Sequence, residues 1–300
     1  MPERRAVTLG VFDGLHLGHR LLVDRLVEES RRRNLLPTVV TLDPHPDVVL
    51  GHAPARPPLT PRHTQAAILA EWGARELRIL KFDQNLRRTS AGDFAKDFLA
   101  ARLRASLLIV GPDFALGRGR EGTPERLAEL GRTLGYEVMQ LDPARDSEGR
   151  ISSSRVRRLL DQGRVEEVAT ALGRPYLTEG RVVFGRGLGA RMGYPTANLE
   201  RSEPVYLPAD GVYVGRASGA FGQRAALVSL GTRPTFGPGE RVLEVYLLDF
   251  QGDLRNHWIR LEWLSFQRGQ QKFHSPADLI EQMTEDERAA RQLLGLGERP

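Results

Sequence analysis

The chain has 300 residues, more than one compact domain usually holds, so we expect two domains. Apolar residues make up 40% of the chain and charged residues 27%, which allows ordinary cores and argues against long-range disorder. The net charge of +5 comes without long basic runs, so we expect no nucleic-acid partner. The absence of cysteine excludes disulfides, thiolate catalysis and cysteine-ligated metals. No apolar run is long enough for a signal peptide or membrane span, so we expect a cytoplasmic protein without membrane contact.

The first half of the chain alternates between strand-like and helix-like segments. The predicted strands cover 6–12, 37–42, 78–82, 107–110 and 136–141, and the predicted helices cover 18–33, 60–72, 92–102 and a segment that opens at Thr123-Pro124. Strands separated by helices of this length indicate a parallel α/β sheet, whose ligands bind beyond the carboxyl ends of the strands. Two short helices, 154–161 and 165–172, are expected to follow.

After Gly173-Arg174-Pro175 the pattern changes to short alternating strands with glycine and proline turns. This pattern predicts a small antiparallel barrel, closed by a helix that starts at Ser275-Pro276. The expected fold class is therefore α/β, with a parallel-sheet, Rossmann-like domain over 1–173 and a β-barrel domain with a terminal helix over 174–300.

The segment from Gly10 to His19 reads as the end of a strand, a glycine turn and two histidines at the start of a helix. Gly14 lets the backbone approach a ligand, and Gly18 lets the helix N-terminus come close to phosphate. The imidazoles of His16 and His19 can donate hydrogen bonds to phosphoryl oxygens as charge builds on a leaving group. The alternative is that the two histidines are a capping residue and a partly buried core residue.

Two further segments have the composition of phosphate sites. In I-S-S-S-R-V-R at 151–157, the hydroxyls of Ser153 and Ser154 and the backbone amides of a helix start form an anion nest, which Arg157 can complete. In the glycine-rich segment 185–198, backbone N–H groups can wrap phosphate, while Thr196 and Asn198 offer neutral oxygens to a magnesium ion. Taken alone, the first segment fits a serine-rich cap and the second fits a flexible hairpin loop.

H-x-G-H followed by a late I-S-S-[ST]-x-x-R resembles the nucleotidyltransferase superfamily, which activates the α-phosphate of ATP. L-D-P-H-P at 42–46, G-P-D-F-A-L-G at 111–117, G-[FY]-P-T-A-N at 193–198 and L-E-V at 243–245 resemble the bacterial bifunctional riboflavin kinase/FMN adenylyltransferases, or FAD synthetases. The resemblance runs from about 7 to 291 in the family's order. It implies a nucleotidyltransferase domain followed by a riboflavin kinase barrel.

The same resemblance implies two reactions and the residues that serve them. Riboflavin and ATP would give FMN in the barrel, and FMN and ATP would give FAD and pyrophosphate in the first domain. Both reactions would use Mg²⁺, with FMN and FAD as products rather than prosthetic groups. The implied catalytic residues are His16, His19, Arg157 and Glu244, the last as general base for the flavin hydroxyl. The implied ATP and phosphate contacts are Gly10, Phe12, Gly14, Gly18, Ser153, Ser154, Gly185, Gly187 and Gly193; the flavin contacts are His45, Asp113 and Arg268; the magnesium ligands are Thr196 and Asn198.

Several alternatives stay open from the residues alone. Asp13 fits magnesium placement or a turn, and His45 fits flavin contact or loop structure. The barrel half departs from the family pattern at Ala190, Tyr246, 255–257 and Gln270, so an adenylyltransferase with a degenerate flavin-binding barrel is one rival. A non-enzymatic RNA-binding protein is the other. The G-x-G-x-x-G pattern at 117–122 lies beyond the strand-to-helix turn that a nicotinamide site needs.

Overall fold

The computed structural model describes residues 3–184, 193–232 and 241–298, and the chain forms two compact units, Met1–Ser153 and Ser154–Pro300. The first unit contains a five-stranded sheet in the order β3-β2-β1-β4-β5. All neighbouring strands of this sheet run parallel, as the sequence predicts. The strands are β1 (Arg5–Gly10), β2 (Leu36–Asp43), β3 (Glu76–Lys81), β4 (Ala105–Val110) and β5 (Glu137–Gln140).

Helices connect these strands, close to the predicted positions. They are α1 (Leu17–Arg33), α2 (Pro46–Val49), α3 (Arg62–Glu71), α4 (Gln84–Arg88), α5 (Ala91–Asp93), which continues as a π-helix (Phe94–Arg102), and α6 (Pro124–Leu134). Thr60-Pro61 is predicted as the cap and first residue of α3, whereas Pro61, with ψ 154°, is the cap and the helix begins at Arg62. A short hairpin, β6 (Arg145–Asp146) and β7 (Gly149–Arg150), was not predicted.

Both faces of the sheet are buried under helices, as is usual for parallel sheets. Ala6 of β1 and Leu107 of β4 belong to one apolar cluster, whereas their neighbours Val7 and Leu108 belong to another on the opposite face. The strand order reverses between β1 and β4, so the connections after these two strands diverge and leave a crevice at their carboxyl ends. A ligand of this unit is therefore expected at that crevice.

The second unit is a closed antiparallel barrel in the order β10-β11-β12-β9-β8-β13, which confirms the predicted barrel. Its strands are β8 (Tyr176–Val183), β9 (Thr196–Glu200), β10 (Gly211–Gly219), β11 (Gly222–Thr232), β12 (Arg241–Leu247) and β13 (Trp258–Arg268). The helices α7 (Ser153–Asp161) and α8 (Val165–Leu172) precede it, and α9 (Pro276–Leu294) follows it. The predicted start of α9 is confirmed, since Ser275 and Asp278 form a reciprocal capping box.

The two faces of β12 have different surroundings. Leu243 and Val245 are paired with Leu230 and Val228 of β11, and all four are at most 2% exposed. Tyr246, on the other face, belongs to an apolar cluster that includes Ala290 of α9. The terminal helix therefore packs against the barrel near Tyr246. Among the residues described, no helix is both long and apolar enough to cross a membrane.

Candidate active sites

His16 and His19 form a stacked pair at the start of α1. Their ring centroids lie 3.8 Å apart with the planes inclined by 15°. The Nδ1 atoms of both rings are buried and have no hydrogen-bond partner among residues 3–184, 193–232 and 241–298. Gly18 makes room for the stack, because a Cβ there would lie 3.1 Å from Cε1 and Nδ1 of His16. The pair therefore depends on the glycine between the two histidines.

Both histidines are held in the neutral form. Burial, and secondly the positive charge of Arg150, lowers the pKa of His16 from 6.5 to about 4. Burial, and secondly its neighbour His16, lowers the pKa of His19 well below its ordinary value. Two imidazoles in contact cannot both carry a charge at low cost. At neutral pH each ring therefore has one N–H donor and one lone pair.

Side chains from distant segments hold the turn that leads into the pair. The Asp13 carboxylate accepts a hydrogen bond from the backbone N–H of Leu59 at 2.7 Å. The Ser153 hydroxyl donates to the backbone carbonyl of Asp13 at 2.8 Å. Gly14 has φ +86°, in the left-handed region that favours glycine. These contacts favour the turn role of Asp13, and they bring Ser153 to the segment that carries the histidines.

Phe12 lies in the protein core rather than on an open surface. Its ring is 1% exposed and lies 5.0 Å from the ring of His19, centroid to centroid. Its backbone carbonyl accepts a hydrogen bond from Gln65 Nε2 at 2.7 Å. Gly10 ends β1 just before it, and a Cβ at Gly10 would come no closer than 3.7 Å to the Phe12 ring. The buried Phe12 ring thus packs against the ring of His19.

Arg150 interacts with Asp113, which follows β4, and with His16 at the start of α1. Its guanidinium, at the end of β7, forms an ion pair with the carboxylate of Asp113, which follows β4. The same charge is the one that acts on His16. The backbone carbonyl of Asp113 also accepts from Arg120 Nη2 at 2.9 Å. Arg150 was not predicted as a site residue. The feature of the sequence that could have indicated it is its position directly before the serine segment 151–157.

His45 follows β2, at the same edge of the sheet as Gly10 and Asp113. Its Nδ1 accepts a hydrogen bond from the backbone N–H of Asp47 at 3.1 Å, so the side chain caps α2. The loop-structural role considered for His45 is therefore present. The side chain is also 40% exposed.

Ser154 and Arg157 lie on α7 in the second unit. The guanidinium of Arg157 lies 5.4 Å from the ring centroid of Tyr206. The Tyr206 hydroxyl donates to Asp161 at 2.7 Å. Tyr206 thus contacts the side chains of both Arg157 and Asp161 on this helix.

The barrel aligns Glu244 with the residues expected to bind magnesium. Glu244 of β12 is directly opposite Asn198 of β9, and Tyr246 is opposite Thr196. On its other side Glu244 is opposite Ser229 of β11. Directly opposite side chains lie on one face with Cβ atoms about 5 Å apart. The general base and both oxygen donors expected from the sequence are therefore brought together.

A cavity of about 300 Å³ adjoins Thr196. It is lined in part by Phe184, Phe250, Leu247 and Arg255. Arg255, from one of the segments that depart from the family pattern, forms an ion pair with Asp253. The cavity therefore has both apolar and charged side chains in its lining.

Arg268 is tied to the terminal helix. Its Nε and Nη2 donate to the Asp286 carboxylate at 2.8 and 2.6 Å, and its Nη1 donates to the carbonyl of Gly269 at 3.2 Å. Both side chains of the ion pair are mostly buried. Gln270, another departure from the family pattern, donates to Leu230 and Ser229 of β11. Arg268 therefore has a structural function here, and any contact with flavin would come in addition to it.

Gly185, Gly187 and Ala190 lie outside the described residues. Gly193 has φ +82° and open space where a Cβ would stand. Tyr194 follows it, and its hydroxyl is hydrogen-bonded to Thr284 of α9 at 2.9 Å. Within the described parts of the chain, no group of three or more His, Cys, Asp or Glu residues could hold a metal ion.

Comparisons with known proteins match each unit to an enzyme family. Residues 1–155 match FAD synthetase and residues 172–294 match riboflavin kinase. A bifunctional riboflavin kinase/FMN adenylyltransferase from Escherichia coli K12 is 36% identical over 298 residues, which is 98% of this chain and 94% of the relative. The enzyme of the same description from Listeria monocytogenes is 31% identical over 96% of this chain and 91% of its own.

One solved structure covers nearly the whole chain. It is described as a macrolide-efflux protein from Streptococcus pneumoniae and matches with a TM-score of 0.89 and 32% identity, over 97% of this chain and 95% of its own. The efflux activity in that description is a statement about that protein. The match to riboflavin kinase across the barrel supports two activities over an adenylyltransferase with a degenerate barrel. This chain belongs to the family of bifunctional riboflavin kinase/FMN adenylyltransferases.

Proposed function

We propose that this enzyme makes FAD from riboflavin in two ATP-dependent steps, with FMN as the product of the first and a substrate of the second. The barrel transfers the γ-phosphoryl group of ATP to the terminal ribityl hydroxyl of riboflavin, releasing ADP. The first unit transfers the adenylyl group of a second ATP to the FMN phosphate, releasing pyrophosphate. ATP is a co-substrate of both steps, and FMN and FAD are products.

The observation that carries the adenylylation step is the neutral, stacked histidine pair at the start of α1, next to the crevice between β1 and β4. In this step an oxygen of the FMN phosphate attacks the α-phosphorus of ATP, and the bond from that phosphorus to the bridging oxygen breaks. Negative charge then builds on the leaving pyrophosphate. Imidazole N–H groups of His16 and His19 are proposed to donate hydrogen bonds to it, while Arg150 supplies positive charge.

The position of Asp113 supports a function in placing the flavin substrate. It follows β4 on the far side of the crevice from the histidines, and Arg150 holds its carboxylate. We propose that Arg150 and Asp113 align the FMN phosphate with the α-phosphorus. His45, on the loop after β2, is proposed to contact the flavin with the face that its capping bond leaves exposed.

For the kinase step, the row of Glu244, Asn198 and Thr196 supports base catalysis next to a bound nucleotide. Glu244 is proposed to take the proton of the ribityl hydroxyl as that oxygen attacks the γ-phosphorus. The cavity beside Thr196 is the proposed binding place for this ATP. Hydroxyl and amide oxygens suit Mg²⁺, so Thr196 and Asn198 are its proposed ligands. Mg²⁺ would offset the charge of the phosphates brought together.

The test separates the two steps by their products. The protein is incubated with ATP, MgCl₂ and either riboflavin or FMN, and the flavins are separated by chromatography. The double variant His16→Ala/His19→Ala is expected to form FMN from riboflavin but no FAD, and Glu244→Ala is expected to form FAD from FMN but no FMN from riboflavin. If a folded variant of either kind loses both reactions, the assignment of separate sites is wrong.

A further inference from the structure

Gln65 is a buried polar residue outside the motifs that identify the two sites. It lies on α3 and is 5% exposed. Its Nε2 donates a hydrogen bond of 2.7 Å to the backbone carbonyl of Phe12, in the turn between β1 and the histidine pair. A buried amide is costly unless its polar atoms are paired, so this bond fixes both partners.

A second residue fixes the orientation of the Gln65 amide. Arg62 Nη1 donates to Gln65 Oε1 at 3.3 Å, and Arg62 Nη2 forms an ion pair with Asp43 Oδ2 at 2.6 Å. A guanidinium has only donors, so it can face the amide oxygen but not the amide nitrogen. The NH₂ group of Gln65 is consequently turned toward Phe12. Asp43, the last residue of β2, anchors this arrangement to the sheet.

Phe12 transmits its position to the histidines. Its ring contacts the ring of His19, and the ring of His19 is stacked on that of His16. The Phe12 N–H contributes little to this positioning, because its contact with Thr41 Oγ1 is 3.5 Å long. The bond from Gln65 is thus the short, buried contact that holds the Phe12 carbonyl. Loss of this bond would let Phe12, and with it both imidazoles, move relative to the crevice.

We propose that Gln65 is a positioning residue for adenylyl transfer, which places the His16–His19 pair by holding the Phe12 carbonyl. This inference rests on the proposed function of the first unit. The hydrogen bond of Gln65 is to the Phe12 carbonyl, so Gln65 acts on the pair through Phe12. Its loss should therefore lower the rate of the chemical step more than the binding of either substrate.

Two substitutions test the donor without removing the bulk of the side chain. Gln65→Glu keeps the shape but replaces the NH₂ donor with a carboxylate oxygen, and Gln65→Met removes both polar atoms. The matched control is Gln84→Glu, which makes the same chemical change at an exposed residue of α4. A misplacement of the order of 1 Å costs up to about 100-fold in rate. In both Gln65 variants kcat for FAD formation from FMN should therefore fall about 10- to 100-fold, whereas KM for ATP and for FMN should change less than about threefold. Riboflavin phosphorylation by the same preparations should keep its wild-type rate.

A spectroscopic readout separates positioning from loss of folded protein. The Cε1–H NMR signals of His16 and His19 should shift in both Gln65 variants and remain in place in Gln84→Glu. Arg62→Leu should cause a smaller loss of kcat, and adding it to Gln65→Met should cause no further loss, because both changes disrupt one contact chain.

The outcomes also separate this inference from the proposed function. If the wild-type protein forms no FAD from FMN, the proposed function fails. The positioning proposal is overturned if the wild type is active and a folded Gln65 variant keeps the wild-type kcat. It is also overturned if the variant loses kcat only in proportion to the fraction of unfolded protein in a melting experiment. Unchanged histidine signals in both Gln65 variants would overturn it as well.

Discussion

Acidification should destabilise the first unit through buried His16 and partly buried His19. The pKa of His16 is about 4 in the folded chain against 6.5 in the unfolded chain. The unfolded chain therefore binds a proton between these pH values that the folded chain does not, and stability falls as the pH falls through this window. The shift corresponds to about 3 kcal/mol in all, of which about 2 kcal/mol is lost between pH 7 and pH 5. His19 adds to the loss in the same direction.

Urea unfolding of protein labelled with 5-fluorotryptophan measures this effect. The ¹⁹F signal of Trp72, in the core of the first unit, reports on that unit without interference from the barrel tryptophans. The variant His16→Asn/His19→Asn should lose at least about 2 kcal/mol less than the wild type between pH 7 and pH 5, since it lacks the contributions of both rings. His52→Asn is the matched control, since the side chain of His52 is 69% exposed, and it should behave like the wild type.

The choice of pH 5 as the lower limit avoids the carboxylates. Hydrogen bonds from Arg5 and Arg78 outweigh the opposing effect of burial and lower the pKa of Glu76 from 4.5 to about 2. The stability that Glu76 contributes is therefore lost mainly below pH 4.5, outside the measured range. Equal losses in the wild type and in the double histidine variant would refute the conclusion that the pair is buried in its neutral form.

Three further predictions concern the turn, the terminal helix and the metal. Gly14 has φ +86°, and a Cβ there would lie 2.8 Å from Leu59 Cδ1, so Gly14→Ala should destabilise the first unit by about 2–3 kcal/mol in urea unfolding. The control Gly51→Ala, with φ +74° and open space around it, should cost only about 1 kcal/mol. Equal losses would show that the Leu59 side chain moves aside and that the predicted clash is absent. Asp286→Asn should destabilise the barrel by about 3 kcal/mol, because Arg268 would remain mostly buried without its counter-charge. The ¹⁹F signal of Trp263 measures this unfolding, and a change below about 1 kcal/mol would contradict the prediction. Chelation of Mg²⁺ should stop formation of both FMN and FAD. Calorimetry of the protein with MgCl₂ but no ATP should detect no tight binding, because the nucleotide phosphates supply part of the coordination. A micromolar magnesium site in the absence of ATP would contradict this shared coordination.

The architecture could be predicted because periodicity and helix caps are local signals. The run of valines in β2 and the Ser275-Pro276 start of α9 both have the structure that their residues indicate. The π-wound part of the helix before β4 was not predicted, because an apolar pattern over nine residues does not distinguish the two windings. The start of α3 predicted at Pro61 was one residue early, because a proline can act as the cap as well as the first helical residue.

The candidate sites could be predicted in part. The H-x-G-H pattern indicated the two histidines, but their lowered pKa values arise from burial and from the neighbouring charges of Arg150 and His16, which depend on the folded chain. Arg150 and Gln65 were missed for the same physical reason. Each acts through a contact with a residue more than thirty positions away, Asp113 or Phe12, and such contacts exist only once the sheet is assembled.

β9 is attached to each neighbour by only three residue pairs, whereas β11 has seven pairs with β12 and nine with β10. All three pairs with β12 involve the segment from Thr196 to Asn198. A shift of β9 by one residue against β12 would turn both proposed magnesium ligands to the barrel interior. In laboratory evolution, insertions inside β9 should therefore be rejected, whereas changes of length in the preceding loop should be accepted wherever they leave the pairing of Thr196 to Asn198 in place.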